Sequence, residues 1–207
     1  MGARATNRDR VVFHRSMDDA LRSDEALAAR LAADLDGSFE ALVSAHAGRL
    51  FSIALRFGGD RNDAEEAAQD ALLRAYQALA GYDEHRIREV RLRPWLATIV
   101  LNVCRNRARV KRVRTVELAF EPAAEPGVDP LARHDAKETW ALLLATLPPA
   151  QRAAVVLRHI DGLSYTQMAE ALGRPEGTLK AQVHRGLAAL RDAFVAAELR
   201  EREEMTA

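Results

Sequence analysis

The sequence predicts an all-α protein in which two small helical domains are joined by an acidic, proline-rich linker. Apolar residues recur at helical spacing along most of the chain, and strand-like alternation is scarce. The segment 117–130 has three prolines and four acidic residues in fourteen positions, a composition typical of a linker. We therefore expect a flexible tail at 1–23, domains at 24–114 and 133–195, and a linker at 115–132. The alternative, a long internal loop, is uncommon in compact domains.

The first domain is expected to contain four helices, at about 27–35, 39–57, 62–80 and 94–114. The turn Asp36-Gly37-Ser38 should end the first of them. Asn62 and Glu65 have the N-cap and N3 spacing that opens the third helix. A loop is expected over 82–93, and Pro94 then fits the first turn of the fourth helix.

The second domain is expected to hold four shorter helices, at about 131–147, 150–160, 165–172 and 176–194, before a charged tail at 196–207. Ser164 and Gln167 have the spacing of a capping box at the head of the third. Gly173-Arg174-Pro175 predicts a tight turn before the last. A short helix, a turn containing Gly and a second helix define a helix-turn-helix.

The charge is segregated along the chain although 30 basic residues balance 30 acidic ones. Segment 24–84 has 5 basic and 12 acidic residues, a net of −7, whereas segment 85–114 has 10 basic and 1 acidic, a net of +9. The single cysteine, Cys104, excludes an internal disulfide and a multi-thiolate zinc site, which fits a cytoplasmic location. We expect no membrane insertion, because no apolar run approaches the length of a membrane span. We also expect no cofactor, no metal and no catalytic residue, since no phosphate loop, zinc motif or nucleophile elbow is present.

The last predicted helix has a polar face opposite an apolar stripe formed by Leu179, Val183, Leu187 and Leu190. In a helix-turn-helix, the N-terminal residues of the second helix meet base edges in the major groove. The candidate DNA contacts are Arg174, Glu176, Thr178, Lys180, Ala181, Gln182, His184 and Arg185. An ordinary solvated hairpin explains the same face equally well.

Two further segments have strong charge. The tract 105–114 carries six cations in ten residues and follows Trp95, an arrangement that suits opened nucleic acid, although a solvated face and a core tryptophan are the more ordinary interpretations. The helix at 63–76 is acidic and should not face DNA. It is either plain surface or a dock for a basic protein partner.

These segments, in this order, resemble bacterial RNA polymerase sigma factors of the extracytoplasmic-function group over about 24–195. In the first domain the resemblance rests on Ser38–Leu42, Gly59-Asp60, Ala64–Leu73, and Pro94–Ile99 with Asn102 and Arg109. In the second it rests on Leu147-Pro148, Gln151-Arg152, Gly162–Tyr165, Ala169-Glu170, Leu172-Gly173, Gly177–Lys180 and His184-Arg185.

The resemblance implies a region-2 domain and a region-4 domain of a transcription initiation factor. Docking on the clamp helices of the largest subunit of core RNA polymerase would use Asp63, Glu65, Glu66, Gln69, Asp70 and Leu73. Binding and opening of the −10 element would use Arg91, Arg93, Trp95, Asn102, Arg105, Asn106, Arg109, Lys111 and Arg112. The helix-turn-helix residues named above would bind the −35 element. The implied partners are core polymerase, including its flap, promoter DNA and an anti-sigma factor.

The chain departs from the family pattern at four places, namely Glu66, His46, Leu101 and Asn106. The last two lie in the promoter-melting block, so the −10 preference of relatives should not be transferred. Two other interpretations remain: a helix-turn-helix regulator that acts without polymerase, and a helical module that binds only proteins.

Overall fold

The computed structural model describes residues 22–58, 61–118 and 143–204, with side chains given as far as Val110 in the second range and Ala196 in the third. The N-terminal unit contains helices α1 (22–33), α2 (Leu35–Gly58), α3 (Arg61–Ala80), α4 (Glu84–Glu89) and α5 (Leu92–Leu118). The C-terminal unit contains the end of α6 (143–145), α7 (Pro149–Val155), its π-helical continuation (Val156–Ile160), α8 (Tyr165–Leu172) and α9 (Glu176–Glu204). Within these described ranges every regular element is helical, so the predicted all-α class is confirmed.

Helix α3 forms the centre of the N-terminal unit because it presents small residues to its neighbours. Its buried face consists of Ala64, Ala67, Ala68, Ala71, Ala75 and Leu79. Against it pack α2 and α5, which bury larger side chains such as Leu42, Leu50 and Leu96. Alanine lets helix axes approach closely, and the leucines on the facing helices fill the remaining space.

The break between the first two helices was predicted two residues too late. The one non-helical residue is Asp34, and Asp36, Gly37 and Ser38 form the first turn of α2. The Asp34 carboxylate accepts a hydrogen bond from the backbone nitrogen of Gly37 at 3.0 Å, as an N-cap does. A Cβ at position 37 would lie 2.2 Å from the Asp34 Oδ2 atom, so this glycine makes room for the cap.

The loop expected over 82–93 contains a helix, α4. Its N-cap is Asp83, whose carboxylate accepts from the backbone nitrogen of Arg86 at 2.8 Å. The prediction missed it because six residues are too few for an apolar period, and Ile87 is its one buried side chain.

The helix-turn-helix elements of the C-terminal unit agree closely with prediction. Ser164 and Gln167 form the expected capping box at the head of α8, and α8 ends at Gly173 with a left-handed φ of 62°. The apolar stripe of α9 differs from the expected one, since Leu187 is 38% exposed. Gly186 and Gln182 are buried in its place.

The two units pack against each other, with α5 contacting α8 and α2 contacting the π-helical segment. Their buried apolar side chains form one continuous cluster. The linker expected at 115–132 lies outside the described residues from 119 onward, and 115–118 belong to α5.

Candidate functional site

The acidic helix α3 has one solvent-facing side that carries both acidic and apolar side chains. Glu66 and Leu73 are exposed and Asp70 is half-buried between them, at the i, i+4 and i+7 positions that share a helix face. Leu73 is 57% exposed and so adds an apolar surface between the charged side chains of this face. Acids beside an exposed apolar residue suit a partner that is basic at the rim and apolar at the centre.

The other predicted docking residues lie around this face: Glu65 and Gln69 are exposed and Asp63 is half-buried. Glu65 pairs with Arg61 at 3.1 Å along the helix.

Arg107, in the middle of the basic tract, contacts this acidic face and so points away from the rest of the tract. Its guanidinium donates to Asp70 at 3.1 Å and also to Glu66. The hydrogen bond with Glu66, with smaller contributions from the two carboxylate charges, raises the pKa of Arg107. The acids predicted to dock a partner are therefore already ordered by a cation from α5.

Two arginines and two asparagines of α5 form a separate exposed stripe. Asn102, Arg105, Asn106 and Arg109 are exposed and follow helical spacing along one side of α5. The Arg105 guanidinium donates to the Asn102 side chain at 3.2 Å. The stripe is free of acidic partners among the described contacts, which leaves it suited to phosphates. Lys111 and Arg112 lie in α5, but their side chains are outside the described set.

A cleft of about 440 Å³ lies at the start of α5. Its aromatic walls are the rings of Tyr82 and Trp95, whose centroids are 6.5 Å apart and tilted by 53°. The Arg86 guanidinium lies 3.8 Å from the centre of the Tyr82 ring. Trp95 is half-buried, so it contributes both to the core and to this wall. Aromatic rings flanked by guanidinium groups form the kind of surface on which unpaired bases stack.

The start of α9 exposes most of the predicted DNA-contacting residues. Arg174, Thr178, Lys180, His184 and Arg185 are exposed, and Glu176 and Ala181 are partly exposed. Gln182 differs: it is 6% exposed and lies on the buried side with Leu179 and Val183. Gln182 directly precedes Val183, and consecutive helix residues point about 100° apart, so Gln182 lies at the edge of the apolar stripe.

Glu176 at the first position of α9 connects the two helices of the motif. Its carboxylate accepts a hydrogen bond from the Thr166 hydroxyl of α8 at 2.8 Å and lies 3.7 Å from the Lys180 ammonium. An acid in the first turn is also favoured by the helix dipole. The sequence predicted a DNA contact for Glu176, and the structure adds a second role, since the carboxylate links α8 to α9.

In the described part of the chain no group of histidine, cysteine and acidic side chains could hold a metal ion. No described helix is both long and apolar enough to cross a membrane.

Both units match the models of one protein family, in the order found above. Residues 42–114 match sigma-70 region 2, and residues 137–190 match sigma-70 region 4. A helical protein with both regions in this order defines a sigma factor of the sigma-70 class.

The curated relatives narrow this class. The chain is 32% identical over 161 residues to the RNA polymerase sigma-E factor of Streptomyces coelicolor, covering 78% of this chain and 88% of the relative. It is 33% identical to the extracytoplasmic-function sigma factor SigE of Mycolicibacterium smegmatis, covering 75% of this chain and 61% of that protein. The chain belongs to the extracytoplasmic-function group of the sigma-70 family.

Two solved structures share the fold. CnrH, solved in complex with the cytosolic domain of CnrY, matches with a TM-score of 0.63 and 28% identity, covering 84% of this chain and 97% of CnrH. The sigma factor RpoE of Bartonella quintana, solved with the anti-sigma factor NepR, matches with a TM-score of 0.61 and 22% identity, covering 74% and 94%.

Proposed function

We propose that this chain is a transcription initiation factor that binds core RNA polymerase and directs it to promoters with −35 and −10 elements. One observation supports this most strongly. Two faces of opposite charge, on α3 and α5, occur in the unit that matches region 2, and a helix-turn-helix follows in the unit that matches region 4. A regulator that bound DNA alone would have no use for the acidic, leucine-containing face.

We assign polymerase docking to the exposed face of α3. Carboxylates would attract a basic partner helix and set its register, while Leu73 would be buried at the centre of the contact. Arg107 holds Glu66 and Asp70 in place and so reduces the entropy lost on docking.

Opening of the −10 element is assigned to the α5 stripe and the aromatic cleft. Arg105 and Arg109 would bind the phosphates of the displaced strand. Taking a base out of the stack costs a few kcal/mol, which stacking on Trp95 and Tyr82 would offset.

Recognition of the −35 element is assigned to the start of α9. Arg185 is suited to guanine, and Thr178 to a thymine methyl or a phosphate. The free backbone N–H groups at the start of α9 would bind one phosphate. We leave Gln182 out of the contact surface because it is buried.

The chain would act in the cytoplasm, where its polymerase and DNA partners are, and would contribute binding without catalysis of its own. We also propose regulation by an anti-sigma factor. The similarity to CnrH, solved with the cytosolic domain of CnrY, supports a protein partner of this kind.

Reconstitution tests the proposal directly. The purified chain is combined with core polymerase and genomic DNA of its source, and the 5′ ends of the transcripts are sequenced. We expect start sites preceded by a shared pair of −35 and −10 motifs. If core polymerase with the chain gave the same start sites as core polymerase alone, the proposed function would be wrong.

A further inference from the structure

Glu176 and Lys180 form an ion pair on the exposed side of α9, close to its start. The Glu176 Oε2 atom lies 3.7 Å from the Lys180 Nζ atom, and the two side chains are 43% and 57% exposed, respectively. Residues four positions apart on a helix share a face. The start of α9 therefore presents an acceptor and a donor side by side, at the place where a helix-turn-helix meets base edges.

The carboxylate of this pair is also held from α8. The Thr166 hydroxyl donates to the Glu176 Oε1 atom at 2.8 Å. The two carboxylate oxygens therefore have different partners, since Oε1 accepts from Thr166 whereas Oε2 faces Lys180. A carboxylate oxygen has two lone pairs, so Oε2 can still accept from a further donor. The Glu176 side chain is thus fixed in position without being saturated.

The ammonium group of the pair lies against an aromatic ring. The Lys180 Nζ atom is 5.4 Å from the centroid of the ring of Tyr165, the first residue of α8, and the Arg158 guanidinium is 5.0 Å from the same centroid. Cation–π attraction at such distances restricts a lysine side chain that is otherwise flexible. A capping box fixes the beginning of α8, so Tyr165 and Thr166 together form an ordered support for the ion pair.

A donor next to an acceptor matches one kind of base pair. In the major groove a G·C pair presents the two acceptors of guanine, N7 and O6, followed by the N4 donor of cytosine. The Lys180 ammonium can donate to both acceptors while the Glu176 carboxylate accepts from N4. An A·T pair places its N6 donor between two acceptors and adds the thymine methyl, so a carboxylate at N6 would also face thymine O4. The ion pair therefore favours G·C.

The charges of the pair argue against a role on the DNA backbone. Because the opposite charges of Glu176 and Lys180 cancel, the pair adds little to the attraction of α9 for phosphates. An exposed ion pair within one helix also contributes little to stability. Neither backbone affinity nor folding accounts for the support that the pair receives from α8, whereas recognition of a base pair does.

We propose that Glu176 and Lys180 together recognise one G·C base pair of the −35 element, and that Thr166 is the positioning residue that holds the carboxylate toward cytosine. The inference rests on the proposed recognition of the −35 element by α9 and adds the identity of one base pair. Thr166 acts through Glu176 and does not itself contact the base. Because the ion pair is formed before DNA binds, little side-chain entropy is lost on recognition.

Selection from a promoter library tests the assignment in the complete holoenzyme. The chain and core polymerase are incubated with duplex promoters whose −35 element is fully randomised, and the bound DNA is sequenced. With the unaltered chain, we expect G·C to be preferred about tenfold at the position that Glu176 contacts. Glu176→Gln should abolish this preference and shift it toward A·T, because a glutamine amide is suited to adenine. The preferences at the other positions should stay unchanged.

Glu84→Gln is the matched control, since it removes an equal charge from an exposed ion pair with Arg88 in α4. Its library profile should equal that of the unaltered chain. An unchanged profile for Glu176→Gln, or an equal loss of binding for every sequence, would overturn the assignment of a base contact to Glu176.

Two replacements of Thr166 separate positioning from general support of the fold. Thr166→Val keeps the shape of the side chain but removes the hydroxyl, and it should lower the G·C preference at the same position by about threefold or more. Thr166→Ser keeps the hydroxyl and should retain the preference. If Thr166→Val matched the unaltered chain, or if Thr166→Ser lost as much as Thr166→Val, the positioning role would be wrong.

Lys180→Met gives an independent decision if Glu176→Gln reduces the helicity of the chain. A base contact predicts loss of the G·C preference at the same position, whereas a phosphate contact predicts equal weakening for all sequences and would overturn the assignment. The two proposals also fail differently. A library from which the unaltered holoenzyme selects no −35 motif would refute both, whereas a motif that both Glu176→Gln and Lys180→Met leave unchanged would refute only the base-pair assignment.

Discussion

At the scale of single residues, Arg107 shows that position on a helix decides the role of a cation. The sequence places it among six basic residues between 105 and 114, with no local feature that distinguishes it from the other five. The structure places it opposite Glu66 and Asp70, whereas Arg105 and Arg109 point elsewhere. A partner 37 or 41 positions distant leaves no local signal in the sequence, so only the packing of α3 on α5 identifies this role.

Arg185 is the residue whose replacement should affect −35 recognition most clearly. Arg185→Ala is expected to weaken binding of the holoenzyme to its promoter duplex by about 1–3 kcal/mol, because a bidentate guanine contact is lost. The control is Arg191→Ala, an equal loss of charge at an exposed position further along α9. Equal losses on the promoter and on an unrelated duplex would reassign Arg185 to a phosphate contact.

Cys104 should be almost inert in the folded chain. Burial raises the pKa of its thiol to about 11 from an ordinary value of 9.0. Since the thiolate is the reactive form, this lowers its fraction near neutral pH about a hundredfold. We expect reaction with a disulfide reagent at about pH 8 to be at least that much slower in buffer than in denaturant. Comparable rates in both would contradict the burial of Cys104.

At the scale of elements, close packing of α9 on α7 depends on one glycine. A Cβ at Gly186 would lie 2.7 Å from Val155 Cγ2, a distance that real Cβ atoms do not tolerate. The buried side of α9 is therefore Leu179, Gln182, Val183, Gly186 and Leu190. Leu187 faces solvent, because α9 is oriented with Gly186, its neighbour, against α7.

A pair of glycine replacements tests this contact. Gly186→Ala should reduce the free energy of unfolding by about 1–3 kcal/mol, since the added methyl overpacks the contact. Gly48→Ala, in the interior of α2 with nothing within 4 Å, should raise it by about 0.5–1 kcal/mol. Urea denaturation followed by circular dichroism measures both. A gain of stability at position 186 equal to that at 48 would rule out the close approach.

The elements divide clearly into those that the sequence could predict and those that it could not. The capping box at Ser164 and Gln167 and the turn at Gly173 were predicted correctly, because their signals are local and chemical. The short helix α4 and the cap at Asp34 were missed, because an aspartate serves turns and helix starts equally well. The contact between the units was not predicted, since Asp161 next to Gly162 looks only like the end of a helix.

At the scale of the whole molecule, charge is separated into faces. The acidic face of α3 and the basic stripe of α5 lie on adjacent helices of one unit, and Arg107 forms ion pairs from α5 to Asp63, Glu66 and Asp70 of α3. Such separation lets one small unit contact a basic protein and a polyanion at once without mutual repulsion. The segregation of charge along the sequence thus corresponds to two separate charged faces in the folded unit.

Replacement of Leu73 tests the proposal that the acidic face of α3 binds core polymerase. Leu73→Ala should weaken binding to core polymerase about tenfold, or about 1.4 kcal/mol, because the side chain would be buried at the centre of the contact. It should leave the free energy of unfolding nearly unchanged, since the side chain is 57% exposed in the free chain. The control is Val110→Ala on α5, which is 55% exposed and lies outside the acidic face. Affinity is measured by fluorescence anisotropy of the labelled chain with core polymerase in the absence of DNA. Unchanged affinity for Leu73→Ala, or an equal loss for Val110→Ala, would move the polymerase contact away from α3.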